Sequence, residues 1–257
     1  MSDAYGSYRV NPAFDRHPRE GKVVGKLLAS FSEIEFAVCR NAGHAAQLPD
    51  QINKALYRLR ATSSRIAAAD AIARPVFRSV GLGEEYLTAY AMVGICLRIR
   101  NQFAHCNWAD LNDSELFFAD LQEAADAPEG FELMWRHASL DVLMSQEAYF
   151  ALTMEWLSFL DIDLGASQGR FPRPGWPKPP IQEPPPFHSP PEKHVPPWLN
   201  EDQKALHIAR ARAAAGGDPT PTSAQLALEA ERERKRAERE AQRESARAGQ
   251  RSTNDPS

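Results

Sequence analysis

Apolar residues recur at intervals of three and four along the first two thirds of the chain, a spacing typical of helices that bury one face. The first such stripe predicts a helix from Gly21 to about Gly43, and its apolar face contains Val24, Leu28, Phe31, Glu35 and Val38. Glu35 lies on this apolar face, where a carboxylate without a partner is costly to bury. We therefore expect Glu35 to have a cationic partner inside the fold.

Two further helices are predicted before residue 105. Asp50 is a suitable N-cap for the second helix, and Pro75 should end or kink it. An acidic pair at 84–85 marks the start of the third helix, because carboxylates are favoured in a first turn. The third helix is apolar on several sides as far as residue 104, which predicts that it is the central helix of a bundle.

The remainder of the folded part combines a short β element with a last helix. Residues 115–121 and 131–137 flank a turn and predict a small β-hairpin. Ser139 is a suitable N-cap for a helix that ends near Gly165. The sequence thus predicts an all-α protein: an up-and-down bundle of four or five helices with a small β-hairpin insertion and a disordered, Pro-rich and charged C-terminal tail.

The distribution of proline divides the chain. Twelve of the 20 prolines lie between positions 172 and 197, where the helical pattern of apolar residues is lost. A Pro-rich stretch favours extended polyproline conformation rather than packing, so a chain ending near Gly165 is expected to keep its helical fold. The predicted organisation is a flexible N-terminus (1–20), a helical bundle (21–165), a Pro-rich linker (166–200) and a charged, mostly disordered tail (201–257) in which residues 222–248 could form a solitary helix.

Charge limits the ways in which the bundle could bind nucleic acid. Residues 1–165 contain 15 Lys and Arg against 22 Asp and Glu, whereas the rest of the chain has 15 against 12. A globular part this acidic is unsuited to general nucleic-acid binding, so any RNA contact requires a local patch. The second helix offers one in Lys54, Arg58 and Arg65, although the same residues could simply form a solvated face with their stems packed on the core.

Neither membrane insertion nor a metal or cofactor is indicated. The chain begins with a polar stretch, and its longest uncharged apolar run, residues 86–97, is too short to span a bilayer. The three cysteines have no CxxC spacing, which favours reduced thiols over zinc or a disulfide framework. We therefore expect a cytoplasmic protein with no membrane contact, no metal and no cofactor.

One cluster stands out at the end of the third helix. Residues 99–105 read Ile-Arg-Asn-Gln-Phe-Ala-His, so that an arginine and an asparagine emerge where an apolar helix ends. Asn101 and His105 are one helical turn apart and face the same way. Arginine followed by histidine five positions later carries little information alone; the position of the pair at the end of this helix makes it a candidate site.

This motif and its place in the order of helices resemble the HEPN superfamily. In that family an arginine, a polar residue that is often asparagine, and a histidine four to six positions after the arginine form the signature, matched here by Arg100, Asn101 and His105. The resemblance covers about residues 20–165. It implies a homodimeric helical bundle in which two such motifs meet at a cleft, and many members are metal-independent endoribonucleases of toxin–antitoxin or antiphage systems.

The residues suit the chemistry that the resemblance implies. Cleavage of RNA without a metal requires a base, an acid and positive charge near the phosphate. A histidine with a pKa of about 6.5 can perform either proton transfer near neutral pH. The Arg100 guanidinium can hold two phosphate oxygens, and Asn101 can orient the imidazole or bind phosphate. Glu35 could support the site by pairing with Arg98 or Arg100, or it could form a salt bridge with only a structural role.

Two other functions are compatible with the same sequence. The first is a non-catalytic, HEPN-like dimeric module that binds a nucleotide or a protein partner, with the tail recruiting that partner or a cognate antitoxin. The second is an adaptor or transcriptional protein that uses the basic second helix, and it is the weaker alternative because no helix-turn-helix pattern is present.

Overall fold

The computed structural model describes residues 11–110, 115–126, 130–172 and 176–214, and these residues are mostly helical. The predicted class, a helical fold with a small β element, is confirmed. The helices are α1 (Pro12–Arg16), α2 (Pro18–Ala45), α3 (Pro49–Leu56), α4 (Thr62–Ser79), α5 (Gly83–Ala104), α6 (Leu121–Asp126), α7 (Leu140–Ser167) and α8 (Glu201–Ala214). The strands are β1 (Cys106–Ala109), β2 (Phe117–Asp120) and β3 (Trp135–His137).

The described residues separate into two compact units. The first contains the chain before Met134 together with His137–Ser189, and the second contains Met134–Arg136 together with the chain from Pro190 onward. The long helices α2, α4, α5 and α7 all belong to the first unit. The site predicted from the sequence therefore lies in the first unit.

The first unit is organised around α2 rather than around α5. Helix α2 packs against α3, α4, α5 and α7, whereas the sequence predicted that the apolar α5 would be the central helix. The predicted stripe of α2 does face the core, with Val24, Phe31 and Val38 buried. Because α2 buries residues on several of its turns, it can contact four helices at once, whereas α5 packs against three helices, α2, α4 and α7.

The single helix predicted from Asp50 to Pro75 is in fact two helices. Helix α3 ends at Leu56 and α4 begins at Thr62, although no glycine or proline lies between them. Pro75 lies inside α4, which continues for another four residues. Asp50 makes no capping hydrogen bond, because α3 already begins at Pro49, whose missing N–H is tolerated in a first turn.

The chain before Gly21 is more ordered than the flexible N-terminus predicted for residues 1–20. Residues 12–16 form α1, and α2 begins at Pro18. The ring of Phe14 lies 4.9 Å from that of Trp108, and Arg16 forms an ion pair with Asp110. These contacts secure the segment against the chain that follows α5, while residues 1–10 lie outside the described part.

The β element contains one strand more than the predicted hairpin. Strand β1 pairs antiparallel with β2, with Cys106 opposite Asp120, and the sheet order is β1-β2-β3. The predicted hairpin corresponds to β2 and β3, with the short helix α6 between them. Strand β1 was missed because four residues carry too short an alternation to recognise. It follows the candidate motif directly and thereby fixes the end of α5.

The second unit has its own packing. The indole of Trp135 lies edge-on to that of Trp198, with 5.3 Å between ring centroids, and Nε2 of His207 donates a hydrogen bond to the Trp135 carbonyl. Arg212 pairs with Glu192 at 2.9 Å. Residues 201–214, which the sequence placed in a mostly disordered tail, form helix α8. The solitary helix predicted for residues 222–248 lies outside the described part.

Residues 176–189, here called the Pro-rich segment, differ from the linker that the sequence predicts. They belong to the first unit and contact α5 and α7. Nε2 of Gln102 donates to the Phe187 carbonyl at 2.8 Å, and Nε2 of Gln146 donates to the same carbonyl at 3.0 Å. The indole Nε1 of Trp156 donates to the Pro180 carbonyl at 3.1 Å. Polyproline backbone has free carbonyls, which here accept hydrogen bonds from the bundle.

In the part of the chain that the structure describes, the helices do not combine the length and the apolar character that a membrane crossing requires.

The hydrogen bonds to the Pro-rich segment predict that the bundle needs it. A chain ended after Pro172 should lose at least about 2 kcal/mol of unfolding free energy, because Gln102, Gln146 and Trp156 lose their acceptors. Urea denaturation followed by tryptophan fluorescence would measure this loss. A chain ended after Ala214 keeps every described contact and serves as the control. Equal urea midpoints for the two chains would place the Pro-rich segment outside the cooperative unit.

Candidate functional site

The three motif residues lie at the C-terminal end of α5 with their polar groups toward the surface. Asn101 and His105 are exposed and Arg100 is half-buried, whereas Ile99 and Phe103 from the same turns are buried. His105 is the C-cap residue, with non-helical φ −125° and ψ 25°. The apolar neighbours therefore anchor the end of the helix in the core and leave the polar residues accessible.

Contacts within the motif join two of its three members. Nη1 of Arg100 donates to Oδ1 of Asn101 at 3.1 Å. Among the described residues, no hydrogen bond or ion pair involves the His105 ring. In a regular helix, residues four apart lie about 40° apart around the axis and residues five apart about 140°. Asn101 thus shares a side with His105, and Arg100 lies on the flank of α5.

Neither arginine at this end of α5 is neutralised within the described part of the chain. Arg100 has Asn101 as its hydrogen-bond partner, and the guanidinium of Arg98 lies 4.3 Å from the centroid of the Phe187 ring. Other arginines are paired with carboxylates, including Arg16 with Asp110, Arg65 with Glu35 and Arg74 with Asp70. Two cations without an acidic partner leave positive charge available for an external anion.

Glu35 does not support these arginines. Its carboxylate accepts a hydrogen bond from Nη1 of Arg65, on α4, and not from Arg98 or Arg100 as the sequence suggested. Both side chains are deeply buried, with 10% and 11% of their surface exposed. The pair is a salt bridge within the bundle, which was the structural alternative considered for Glu35.

Arg65 is correspondingly unavailable to RNA, which corrects its assignment as an RNA contact. Its Nη2 donates to the Leu59 carbonyl at 2.7 Å, and its Nε donates to the Leu56 carbonyl at 3.3 Å. Its guanidinium also stacks 4.7 Å from the centroid of the Tyr57 ring. Arg65 therefore holds the break between α3 and α4. The other two candidates, Lys54 and Arg58, are exposed at the end of α3.

Two of the three thiols, those of Cys39 and Cys96, are buried and protonated at neutral pH. Burial, together with the negative charge of Glu35, raises the pKa of Cys39 to about 11. Burial likewise raises the pKa of Cys96 to about 12, and its thiol lies 3.3 Å from Oγ1 of Thr153. A nucleophilic role for either thiol is therefore unfavourable. Within the ranges that the structure describes, no three His, Cys, Asp or Glu residues are grouped as metal ligands.

A second polar cluster carries no sequence signal. The cluster lies where α2 and α7 end and contains Arg40, His44, Asp161 and Arg170. The first two residues are more than 100 positions from the last two along the chain. The sequence contains no motif around His44, so no role was predicted for that residue. Only the packing of α2 on α7 brings these residues together.

No protein-family model matches the chain, and no match was found among the curated proteins or the solved structures compared with it. The resemblance to the HEPN superfamily therefore rests on residues 99–105 and on the order of the helices.

The buried Glu35–Arg65 pair predicts a structural effect for loss of the carboxylate. Glu35→Ala should lower the unfolding free energy by about 3–5 kcal/mol, because it leaves a buried guanidinium without its counter-ion. Urea denaturation would measure it. Glu33→Ala, an exposed position on the same helix, is the matched control and should stay within about 0.5 kcal/mol of the parent chain. A Glu35→Ala protein as stable as the control would contradict the structural role.

Proposed function

We propose that this chain is a metal-independent endoribonuclease of HEPN type that acts as a homodimer in the cytoplasm. The observation that carries the proposal is the state of the motif at the end of α5. Arg100, Asn101 and His105 all lie at the end of a firmly packed helix, and none of them has a carboxylate partner in the described part of the chain. Polar residues that serve only stability are expected to be buried or paired with an oppositely charged group.

Each residue has a role that fits its chemistry. The imidazole of His105 can remove the proton from a ribose 2′-OH or donate one to the leaving 5′-oxygen. The guanidinium of Arg100 remains charged and can hold two oxygens of the phosphate as negative charge develops. The Asn101 amide holds Arg100 from one side and leaves its Nδ2 group able to donate to phosphate.

One protomer does not supply the full set of groups. It offers one motif histidine, whereas cleavage uses both an acid and a base. Arg100 and His105 also point to different sides of α5. Two copies related by a two-fold axis that passes near the end of α5 would provide two of each group, and we propose that the His105 of one chain then faces the Arg100 of the other. This arrangement is the physical reason for proposing a dimer.

The path of the RNA is proposed from the accessible cations. Arg98 lies two positions before Arg100, at the motif itself. Lys54 and Arg58 are exposed at the end of α3, beyond the C-terminal end of α2, whereas the motif lies next to residues 14–16 at the start of α2, so these two cations would contact only an RNA that extends along the bundle. Residues 1–165 contain more acidic than basic side chains, so a polyanion would approach most easily where such cations are exposed. Toxin–antitoxin or antiphage action, and recruitment of a partner through the tail, are the biological settings that fit an RNA-cleaving dimer.

A non-catalytic dimeric module is the second candidate, and one observation favours it. Catalytic histidines are usually oriented by a hydrogen bond to their second ring nitrogen, and no described residue makes one to His105. The same exposed Arg100 and Asn101 could then bind the phosphate of a nucleotide, or an acidic partner, without cleavage.

The catalytic proposal predicts cleavage of RNA in the presence of EDTA, with 2′,3′-cyclic phosphate ends because the 2′-OH is the attacking group. His105→Ala should slow cleavage by about 100-fold or more, the scale of a lost general acid or base. Arg100→Lys should slow it as well, because an ammonium lacks the planar two-pronged donor geometry. Gel analysis of fragments and their end groups would measure these effects.

Arg78→Lys is the matched control, since Arg78 is another exposed arginine and lies near the end of α4. All variants should retain the parental melting temperature within a few degrees. Cleavage of RNA by His105→Ala at the parental rate would remove this residue from the mechanism and favour the non-catalytic module.

The dimer is itself a prediction. Sedimentation velocity of the full chain at micromolar concentration should show a species of two chains, because a single chain supplies one motif histidine and one motif arginine. His105→Ala should sediment in the same way, which separates assembly from catalysis. A parental protein that cleaves RNA as a strict monomer would require a different active site.

A further inference from the structure

The ends of α2 and α7 enclose a cavity of about 280 Å³, separate from the motif on α5. It is lined by His44, Gln47, Pro49, Gln168 and Arg170. Concave sites with a few convergent polar groups are where small molecules usually bind. None of these residues belongs to the ribonuclease proposal, so the inference stands independently of it.

Asp161 holds the cationic side of the cavity in place. Its Oδ1 accepts a hydrogen bond from Nδ1 of His44 at 2.5 Å and lies 3.7 Å from Nη2 of Arg170. Its Oδ2 lies 3.3 Å from Nε of Arg40. Two guanidiniums therefore share one carboxylate, and the cluster keeps an excess of positive charge even with His44 neutral. Such a cluster favours an anion.

One wall of the cavity is the turn that ends α7. The N–H of Gly169 donates to the Ala166 carbonyl at 3.1 Å, and the N–H of Arg170 donates to the Gly165 carbonyl at 2.9 Å. Gly169 has φ +70°. These are the bonds of a Schellman cap, which reverses the chain and brings Arg170 back toward Asp161. The cap also occupies helix-end carbonyls that would otherwise repel an anion.

The opposite wall is a cap of the same kind, built on an unusual residue. The N–H of Gln47 donates to the His44 carbonyl at 3.1 Å, and the N–H of Leu48 donates to the Gly43 carbonyl at 3.0 Å. Gln47 has φ +58°, a conformation that disfavours side chains. The equivalent positions at the ends of α4 and α7 are Gly81 and Gly169.

The choice of glutamine over glycine at position 47 calls for a function of its side chain. Strained backbone persists where the residue serves a purpose, and Gln47 lines the cavity. Gln168 also lines the cavity, and its Nε2 donates to the His44 carbonyl at 3.0 Å, which holds the ends of α2 and α7 together at this wall.

We propose that this cavity binds a small oxyanion, such as a dicarboxylate or inorganic phosphate. Arg170 would bind the anionic oxygens, the Nε2–H of a protonated His44 would donate to them, and the Gln47 amide would contact the remaining oxygens. Cations near helix ends also complement the helix dipoles. That role accounts for Arg40 and Arg170, but it does not explain why glutamine occupies position 47 with a positive φ.

The test uses the full chain with malate and inorganic phosphate at millimolar concentration. Both should raise the melting temperature, and calorimetry should show binding of each. Arg170→Gln and His44→Gln should each weaken malate or phosphate binding by about tenfold or more. Arg78→Gln, an exposed arginine that does not line the cavity, is the matched control and should bind as the parent does.

Gln47→Gly is the sharpest variant because its two effects have opposite signs. Glycine relieves the positive φ, so the ligand-free variant should melt at a higher temperature while binding the anion more weakly. Failure to fold therefore cannot explain its loss of binding. The proposal is overturned if neither malate nor phosphate binds, if Arg78→Gln weakens binding as much as Arg170→Gln, or if Gln47→Gly binds as tightly as the parent chain.

Discussion

A carboxylate buried in α2 requires a cationic partner beside it, and the choice of that partner influences how several helices of the first unit pack. Glu35 takes the guanidinium of Arg65, which joins α2 to α4. The same guanidinium caps carbonyls of Leu56 and Leu59, so the chain turns between α3 and α4 without glycine or proline. One charged contact thus sets the packing of two helices and the position of the break between two others.

The way Glu35 is paired also determines which cations remain for other purposes. With Arg65 committed to the core, Arg98 and Arg100 have no acidic partner among the described residues. At the C-terminal end of α2 there are more cationic groups than carboxylates, because Asp161 is shared between two arginines and a histidine. Two of the places with positive charge that described carboxylates do not fully neutralise are therefore the end of α5 and the ends of α2 and α7.

The sequence predicted what depends on local spacing. The buried stripe of α2, the start of α5 at its acidic pair and the Ser139 cap of α7, which accepts from the Val142 N–H at 3.3 Å, are all confirmed. The exposed position of His105 after the end of α5 also follows from the pattern. The features that the sequence did not predict depend on contacts between residues far apart along the chain. Several arginines had similar spacing, so the one that pairs with Glu35 could not be chosen without the packing of α4 on α2.

Main-chain carbonyls hold much of the Pro-rich segment, because Gln102, Gln146 and Trp156 donate to them, while the side chains of Lys178 and Phe187 contact Glu85 and Arg98. A carbonyl is offered by every residue type, so most other side chains of residues 176–186 are free to change during evolution. The number of residues is not free, since losing one would move every carbonyl away from its donor. Among relatives of this protein, the region should therefore vary in composition while keeping its length.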